Sequence, residues 1–137
     1  VIQKMTLLLE TTSSCVSPFI QEAAVEALAS NQDVISEMML EFKKRRDLMV
    51  KLINNIPGIS CILPKGAFYI FANISETGLD DIEFCDLILK EASVAACPGS
   101  FFGKHGVGYV RFCFANSEEK ITTAMDRIKT WLEKRKF

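Results

Sequence analysis

The sequence has few of the residues from which metal sites and disulfide frameworks are built. It contains a single histidine, His105, and none of its five cysteines forms a Cys-x-x-Cys pair. An odd cysteine count without such pairs argues against a disulfide framework and a zinc cluster, so we predict reduced, mostly buried thiols and no bound metal. His105 has no second histidine or carboxylate at ligand spacing, and we expect it at the surface in a loop.

The sequence also lacks a large net charge and a long apolar run. Sixteen Lys and Arg residues oppose 17 Asp and Glu residues, which leaves a net charge of −1 and no broad field that would attract nucleic acid or an anionic membrane. The basic run 43–46 is interpreted as a solvated helix face. No segment reaches membrane-spanning length, and residues 1–10 lack a basic leader with a cleavage signal. We therefore expect a cytoplasmic protein with small-molecule partners.

The 137 residues, 49% of them hydrophobic, are enough for one packed core. Apolar spacing predicts helices over 18–29, 34–53, 81–92 and 117–132, the last with Asn116 and Glu119 as a capping box. Short strands are predicted over 59–63, 67–73, 94–97 and 109–114, the first two joined by a turn at 64–66. The pattern predicts an α+β fold, a two-layer sandwich of a small three- to four-stranded sheet covered by helices and preceded by a long helix.

The last predicted strand carries an arginine. Alternation places Tyr109, Arg111 and Cys113 on one face and the apolar residues between them on the other. A guanidinium flanked by apolar residues is costly unless a carboxylate or phosphate meets its donors. The residues alone leave two interpretations open, an ion pair with an acidic neighbour in the same domain and a ligand-binding site.

Two further motifs accompany this strand, Pro64-Lys65-Gly66-Ala67-Phe68-Tyr69 and Pro98-Gly99-Ser100-Phe101-Phe102-Gly103. Together with Tyr109-Val110-Arg111-Phe112-Cys113-Phe114-Ala115, they resemble the C-terminal part of the fold-type I pyridoxal-phosphate-dependent aminotransferases, class I and II, aspartate aminotransferase-like. The resemblance covers about 12–134, and its specific parts are 64–73 and 97–115. It implies that 1–17 leads out of a larger domain and that 18–137 is the C-terminal small domain. The opening valine also favours a fragment.

The resemblance assigns roles to individual residues. It implies that Arg111 binds the substrate α-carboxylate through a bidentate salt bridge, and that Ser100 and Phe101 line the substrate entrance. Phe68 lies where aromatic side chains approach the substrate, although core packing also fits it. Thr12-Ser13-Ser14 resembles a segment that reaches the neighbouring subunit's active site, with Ser14 where many members carry asparagine.

The resemblance further implies a homodimeric full-length enzyme that transfers an amino group between an amino acid and a 2-oxo acid, with pyridoxal 5'-phosphate held outside this chain. Lys65 and Lys104 lie in the wrong context for the Schiff-base role, so we predict that the chain alone is inactive. Residues 5–17 contain no arginine or lysine that could bind a second substrate carboxylate. The sequence therefore does not support a preference for dicarboxylate substrates.

Three alternatives remain open at the level of sequence. An aminotransferase-like domain can serve as the ligand sensor of a transcriptional regulator, which an upstream helix-turn-helix would favour. A pyridoxal-dependent carbon–sulfur lyase would need the same carboxylate-binding arginine, and substrate profiling would separate it. The third alternative is a free-standing interaction domain, in which Arg111 would not act together with a cofactor.

Overall fold

The chain divides into two compact units, Val1–Ser36 and Glu37–Phe137. The computed structural model describes residues 1–13 and 15–135, so Ser14, singled out above by the family pattern, lies outside the described residues. Among the helices described, none combines the length and the apolar character needed to cross a membrane.

The first unit is helical. Helix α1 spans Ile2–Thr12, which the sequence pattern does not predict, and α2 spans Pro18–Ala29. Pro18 occupies the first turn of α2, where its missing N–H is not needed. Ser17 is at the cap position, but its side chain makes no capping hydrogen bond. Neither helix contains a buried residue.

The second unit is built on a four-stranded antiparallel sheet. Helix α3, Asp33–Ile53, most of which belongs to this unit, leads into strands β1, Ser60–Cys61, and β2, Tyr69–Asn73. Helix α4, Asp81–Ala92, connects β2 to β3, Cys97–Pro98, and β4, Tyr109–Cys113, precedes the closing helix α5, Glu118–Arg135. The strand order is β1-β2-β4-β3. These elements confirm the predicted α+β fold.

The core lies between the helices and one face of the sheet. Ile70 and Ala72 of β2 face the same side as their register partners Phe112 and Val110 of β4, and all four are buried. The helices contribute apolar side chains to this layer, among them Met49, Ile53, Phe84, Ile88, Ile121, Met125, Ile128 and Trp131. The buried hydrophobic residues among those described lie between positions 49 and 132, so this core belongs to the second unit.

Several predicted boundaries are wrong by a few residues. The strand predicted over 67–73 begins at Tyr69, because Ala67 has a φ of 57°, in the left-handed region that a strand residue does not adopt. The strand predicted over 59–63 is limited to Ser60–Cys61, and Ile62 beyond it is exposed. Helix α5 is capped by the Ser117 hydroxyl, which accepts the backbone N–H of Lys120 at 3.3 Å, instead of by Asn116.

The prediction of mostly buried thiols is also wrong. Cys85 is buried in α4, whereas Cys61 and Cys97 are half-buried and Cys15 and Cys113 are exposed. Cys113 is exposed because it alternates onto the open face of β4, opposite to the buried Phe112.

Candidate functional site

The sheet face opposite the core is open, and Arg111 lies near its centre. In the register of the sheet, Arg111 is paired with Phe71 of β2 on one side and with Cys97 of β3 on the other. Its guanidinium carbon lies 4.2 Å from the ring centroid of Tyr69 and 4.3 Å from that of Phe102. Two aromatic rings therefore contact the cation, each at cation–π distance.

No carboxylate among residues 1–13 and 15–135 uses the donors of Arg111. Within the described part of the chain, the cations that form ion pairs are Lys44, Arg45, Arg46, Lys90 and Arg135. Arg111 is half-buried, and its side chain makes neither an ion pair nor a hydrogen bond with any residue in the described part of the chain. Of the two interpretations left open by the sequence, the ion pair inside the domain is thus not found among residues 1–13 and 15–135.

More aromatic side chains surround the stacked arginine. Phe71 contacts the Phe102 ring edge to face at 5.7 Å, and the Tyr109 ring at 6.0 Å. Tyr69 also contacts Phe68 at 4.6 Å. A surface of this kind displaces water from the faces of the guanidinium, while the donors in its plane remain free to bind a planar anion.

The loop between β3 and β4 brings Phe102 to the arginine. It contains two 3₁₀ turns, Gly99–Phe102 and Lys104–Gly106. The backbones at Gly99 and Gly106 pass so close that a side chain at Gly99 would overlap the Gly106 carbonyl and lie 2.5 Å from that of Tyr109. Only glycine fits this crossing, because any Cβ would collide with backbone that cannot rotate away.

Asp81 attaches this loop to the start of α4. Its carboxylate is only 3% exposed and accepts the backbone N–H of Ser100 at 2.8 Å. Burial raises the pKa of Asp81, but the Ser100 hydroxyl and backbone, together with the backbone of Asp81 and Gly108, outweigh that effect and hold the pKa below its ordinary value. The carboxylate is therefore charged at neutral pH.

The candidate site residues identified from the sequence have different surroundings in the structure. Ser100 is half-buried in the loop, where its hydroxyl lies close enough to Asp81 to lower the pKa of that carboxyl but outside hydrogen-bond geometry. Phe101, beside it, is 69% exposed, and the rings found over the Arg111 guanidinium among the described residues are those of Tyr69 and Phe102. Phe68 is 42% exposed and stacks on Phe42 at 6.3 Å, so it packs at the edge of the core. His105 is exposed, as expected.

Sequence reasoning missed three residues of this site, Tyr69, Phe102 and Asp81. Strand alternation offered a signal for Tyr69, because the register places it on the Arg111 face of the sheet. No comparable signal distinguishes Phe102 from Phe101, since their directions depend on the 3₁₀ turn. The burial of Asp81 likewise depends on a contact across 19 positions of sequence.

Comparison with known proteins gives a consistent result over nearly the whole chain. The family model for class I and II aminotransferases matches residues 1–128. An aspartate aminotransferase from Pyrococcus horikoshii is 44% identical over 135 residues, which are 97% of this chain and 34% of that protein. The structure of an aromatic aminotransferase from the same species superimposes with a TM-score of 0.92 at 43% identity, over 98% of this chain and 36% of that one.

A PLP-bound structure from Clostridium difficile 630 is more distant, with 26% identity and a TM-score of 0.69 over 74% of this chain and 26% of that one. The chain spans about a third of the length of the curated relatives that it matches.

Proposed function

Because the chain belongs to the class I and II aminotransferase family, we propose that it is the part of a pyridoxal-phosphate-dependent aminotransferase that binds the substrate carboxylate. In this proposal 18–137 form the C-terminal small domain and 1–17 lead out of a larger domain. Both substrates of amino-group transfer, an α-amino acid and a 2-oxo acid, carry a carboxylate next to the reacting carbon. One anion-binding group can therefore serve both halves of the reaction.

The observation that supports the proposal most directly is the state of Arg111. Its two ring contacts hold the guanidinium at 4.2 and 4.3 Å from the centroids of Tyr69 and Phe102, while its in-plane donors have no partner among the residues described. A carboxylate can accept two parallel N–H bonds from such a fork. Because the rings already restrict the side chain, little conformational entropy remains to be lost when the anion binds.

The described residues do not fit the role of cofactor site. Every lysine that the structure describes is exposed or half-buried, with Lys65 and Lys104 exposed in loops. A lysine that forms a Schiff base needs a desolvated pocket, which these positions do not provide. We therefore assign pyridoxal phosphate to the full-length enzyme outside these residues, where it supplies the chemistry of amino-group transfer when bound. The homodimer and the cytoplasmic location remain predictions.

Ser100 and Phe101 retain their proposed place at the substrate entrance. The exposed Phe101 ring is available to a ligand that approaches the open face, whereas Ser100 contributes through its backbone and its position in the turn. Phe68 is proposed only as part of the aromatic surface, since its ring is engaged by Phe42.

Substitution of Arg111 in the full-length enzyme tests the proposal. Arg111→Ala should raise the KM for the amino acid about 100-fold, because a charge-assisted bidentate pair is lost. Arg111→Lys keeps the charge but loses the planar fork, and we expect an increase of about tenfold. Inhibition by a monocarboxylate substrate analogue should weaken in parallel.

The matched control is Arg127→Ala, which removes an exposed arginine from α5 and should leave KM unchanged. An Arg111→Ala enzyme that is folded and retains its KM and its carboxylate inhibition would refute the proposed role. Equal effects of the two alanine variants would indicate a general charge effect instead of a binding site.

A further inference from the structure

The burial of Asp81 is not explained by contacts within its own helix, α4. Two adjacent carboxylates begin α4, and it is Asp80 that caps the helix, accepting the backbone N–H groups of Ile82 at 2.9 Å and Glu83 at 2.8 Å. Asp81 is the one removed from water, and none of the ion pairs found among the described residues involves it. A buried carboxylate is costly unless it accepts hydrogen bonds. Its partner is the N–H of Ser100 in the β3–β4 loop.

The contact with Ser100 fixes the turn that carries Phe102. Ser100 and Phe102 belong to the same 3₁₀ turn, which the N–H of Gly103 closes by donating to the Ser100 carbonyl at 3.1 Å. On the other side of Ser100, Gly99 lies so close to the backbone of Gly106 that neither residue has space for a side chain. A displacement of Ser100 is therefore transmitted to Phe102.

We propose that Asp81 is a positioning residue for carboxylate binding, because its carboxylate holds the Gly99–Phe102 turn so that the Phe102 ring stays on the guanidinium of Arg111. This inference rests on the proposed function of Arg111. Among the described residues, no hydrogen bond or ion pair joins Asp81 to Arg111. Its effect passes through the Ser100 backbone and Phe102. Substitutions of Asp81 and of Phe102 should therefore have interdependent effects on KM.

A double-mutant cycle in the full-length enzyme measures that dependence. Asp81→Ala and Phe102→Leu should each raise the KM for the amino acid about fivefold, with kcat changed less than twofold, since a cation–π contact to the binding residue is lost. The double variant should also show about a fivefold increase, because the second substitution removes an interaction that is already lost. Independent effects would multiply to about 25-fold.

The matched control is Asp80→Ala, which removes a carboxylate from the same helix end and should lower thermal stability while KM stays unchanged. Asp81→Asn keeps an oxygen that can accept from Ser100, so its KM should lie much closer to that of the unsubstituted enzyme than the KM of Asp81→Ala does. This conservative variant also covers the case in which Asp81→Ala does not fold.

Hydrogen exchange gives a readout that does not depend on turnover. In Asp81→Ala, the Ser100 amide should exchange at least tenfold faster than in the unsubstituted enzyme, whereas in Asp80→Ala it should not. An unchanged Ser100 amide, or multiplicative effects in the cycle, would overturn the inference. If Arg111→Ala leaves KM unaltered, the proposed function fails while the exchange result still stands; if only the Asp81 variants are without effect, the inference alone fails.

Discussion

At the scale of single residues, Arg111 shows how a charge is kept available in an apolar setting. A guanidinium has two apolar faces and a polar edge, and here two rings contact it at 4.2 and 4.3 Å. Stacking compensates part of the cost of desolvation without using a single N–H donor. An ion pair with a neighbouring carboxylate would also stabilise the charge, but it would occupy the donors that a ligand needs.

The cysteines allow a prediction at the same scale. Burial raises the pKa of Cys85 to about 12, with smaller contributions from Cys97, Asp81 and Asp86, while Cys113 is exposed on the Arg111 face. The thiolate is the reactive form, so at pH 8 a maleimide should label Cys113 rapidly and leave Cys85 unmodified. Peptide mass mapping after timed labelling checks this order.

Unfolding in guanidinium chloride before labelling is the control, since it should make Cys85 as reactive as Cys113. Labelling of Cys85 in the native chain at a rate similar to that of Cys113 would contradict the arrangement of α4 described here.

The sequence predicts the site only in part, and the reason is geometric. Arg111 and its face follow from a period of two residues, which is a local property of β4. The choice between Phe101 and Phe102 depends on the 3₁₀ turn, and the role of Asp81 depends on a hydrogen bond to Ser100 across the fold. Contacts between distant parts of the chain leave no periodic signal.

At the scale of elements, α4 and α5 are joined by Glu91. Its carboxylate accepts the indole N–H of Trp131 at 2.7 Å through one oxygen and Arg135 at 3.0 Å through the other. Trp131 is buried and meets Phe84 of α4 edge to face at 5.6 Å. A buried indole N–H needs an acceptor, so Glu91 satisfies a donor that would otherwise be left without one.

Glu91→Ala should therefore lower the free energy of unfolding of the chain by about 1–2 kcal/mol, mainly through the Trp131 donor, because an exposed ion pair contributes little. Glu91→Gln keeps an acceptor oxygen and should cost less than half as much. Urea unfolding followed by circular dichroism measures both.

The comparison variant is Asp86→Ala, which removes the exposed 4.0 Å contact with Lys90 on the same helix and should change stability by less than about 0.5 kcal/mol. If Glu91→Ala costs no more than Asp86→Ala, the indole hydrogen bond does not stabilise the helix pair.

Helices are predicted from this sequence better than strands, and the failures have physical causes. The 3.6-residue spacing extends over many turns in α3 and α5, whereas β1 and β3 have two residues each and offer almost no periodicity. Ala67 shortens β2 through a positive φ that no rule for alanine anticipates. Ser117 caps α5 next to Asn116, and both residue types are good caps.

At the scale of the whole molecule, the two units differ in how they use apolar residues. The second unit has a continuous core between sheet and helices, while α1 and α2 of the first unit bury none of their residues. The chain also spans about a third of the length of its relatives. What it supplies by itself, in the proposal made above, is recognition of a carboxylate.

The chain alone should accordingly show no amino-group transfer. The assay contains aspartate or phenylalanine, 2-oxoglutarate and added pyridoxal phosphate. We expect the chain to form glutamate no faster than the Arg111→Ala chain does, because no described lysine is buried enough to form the Schiff base with the cofactor. Chromatographic detection of glutamate checks this.

The full-length enzyme, assayed in parallel, shows that the reagents are competent. Turnover by the chain that depends on Arg111 would mean that the cofactor binds within these 137 residues, and the assignment of its site would have to change.

The position of Trp131 also has an optical consequence. It is the one tryptophan of the sequence, and its indole lies buried between α4 and α5, hydrogen-bonded to Glu91. Indole fluorescence shifts to longer wavelength when the ring becomes exposed to water, so the emission of Trp131 reports the docking of α5 on α4. The second unit thus carries an intrinsic probe of its own folding, and no dye or label has to be introduced to follow it.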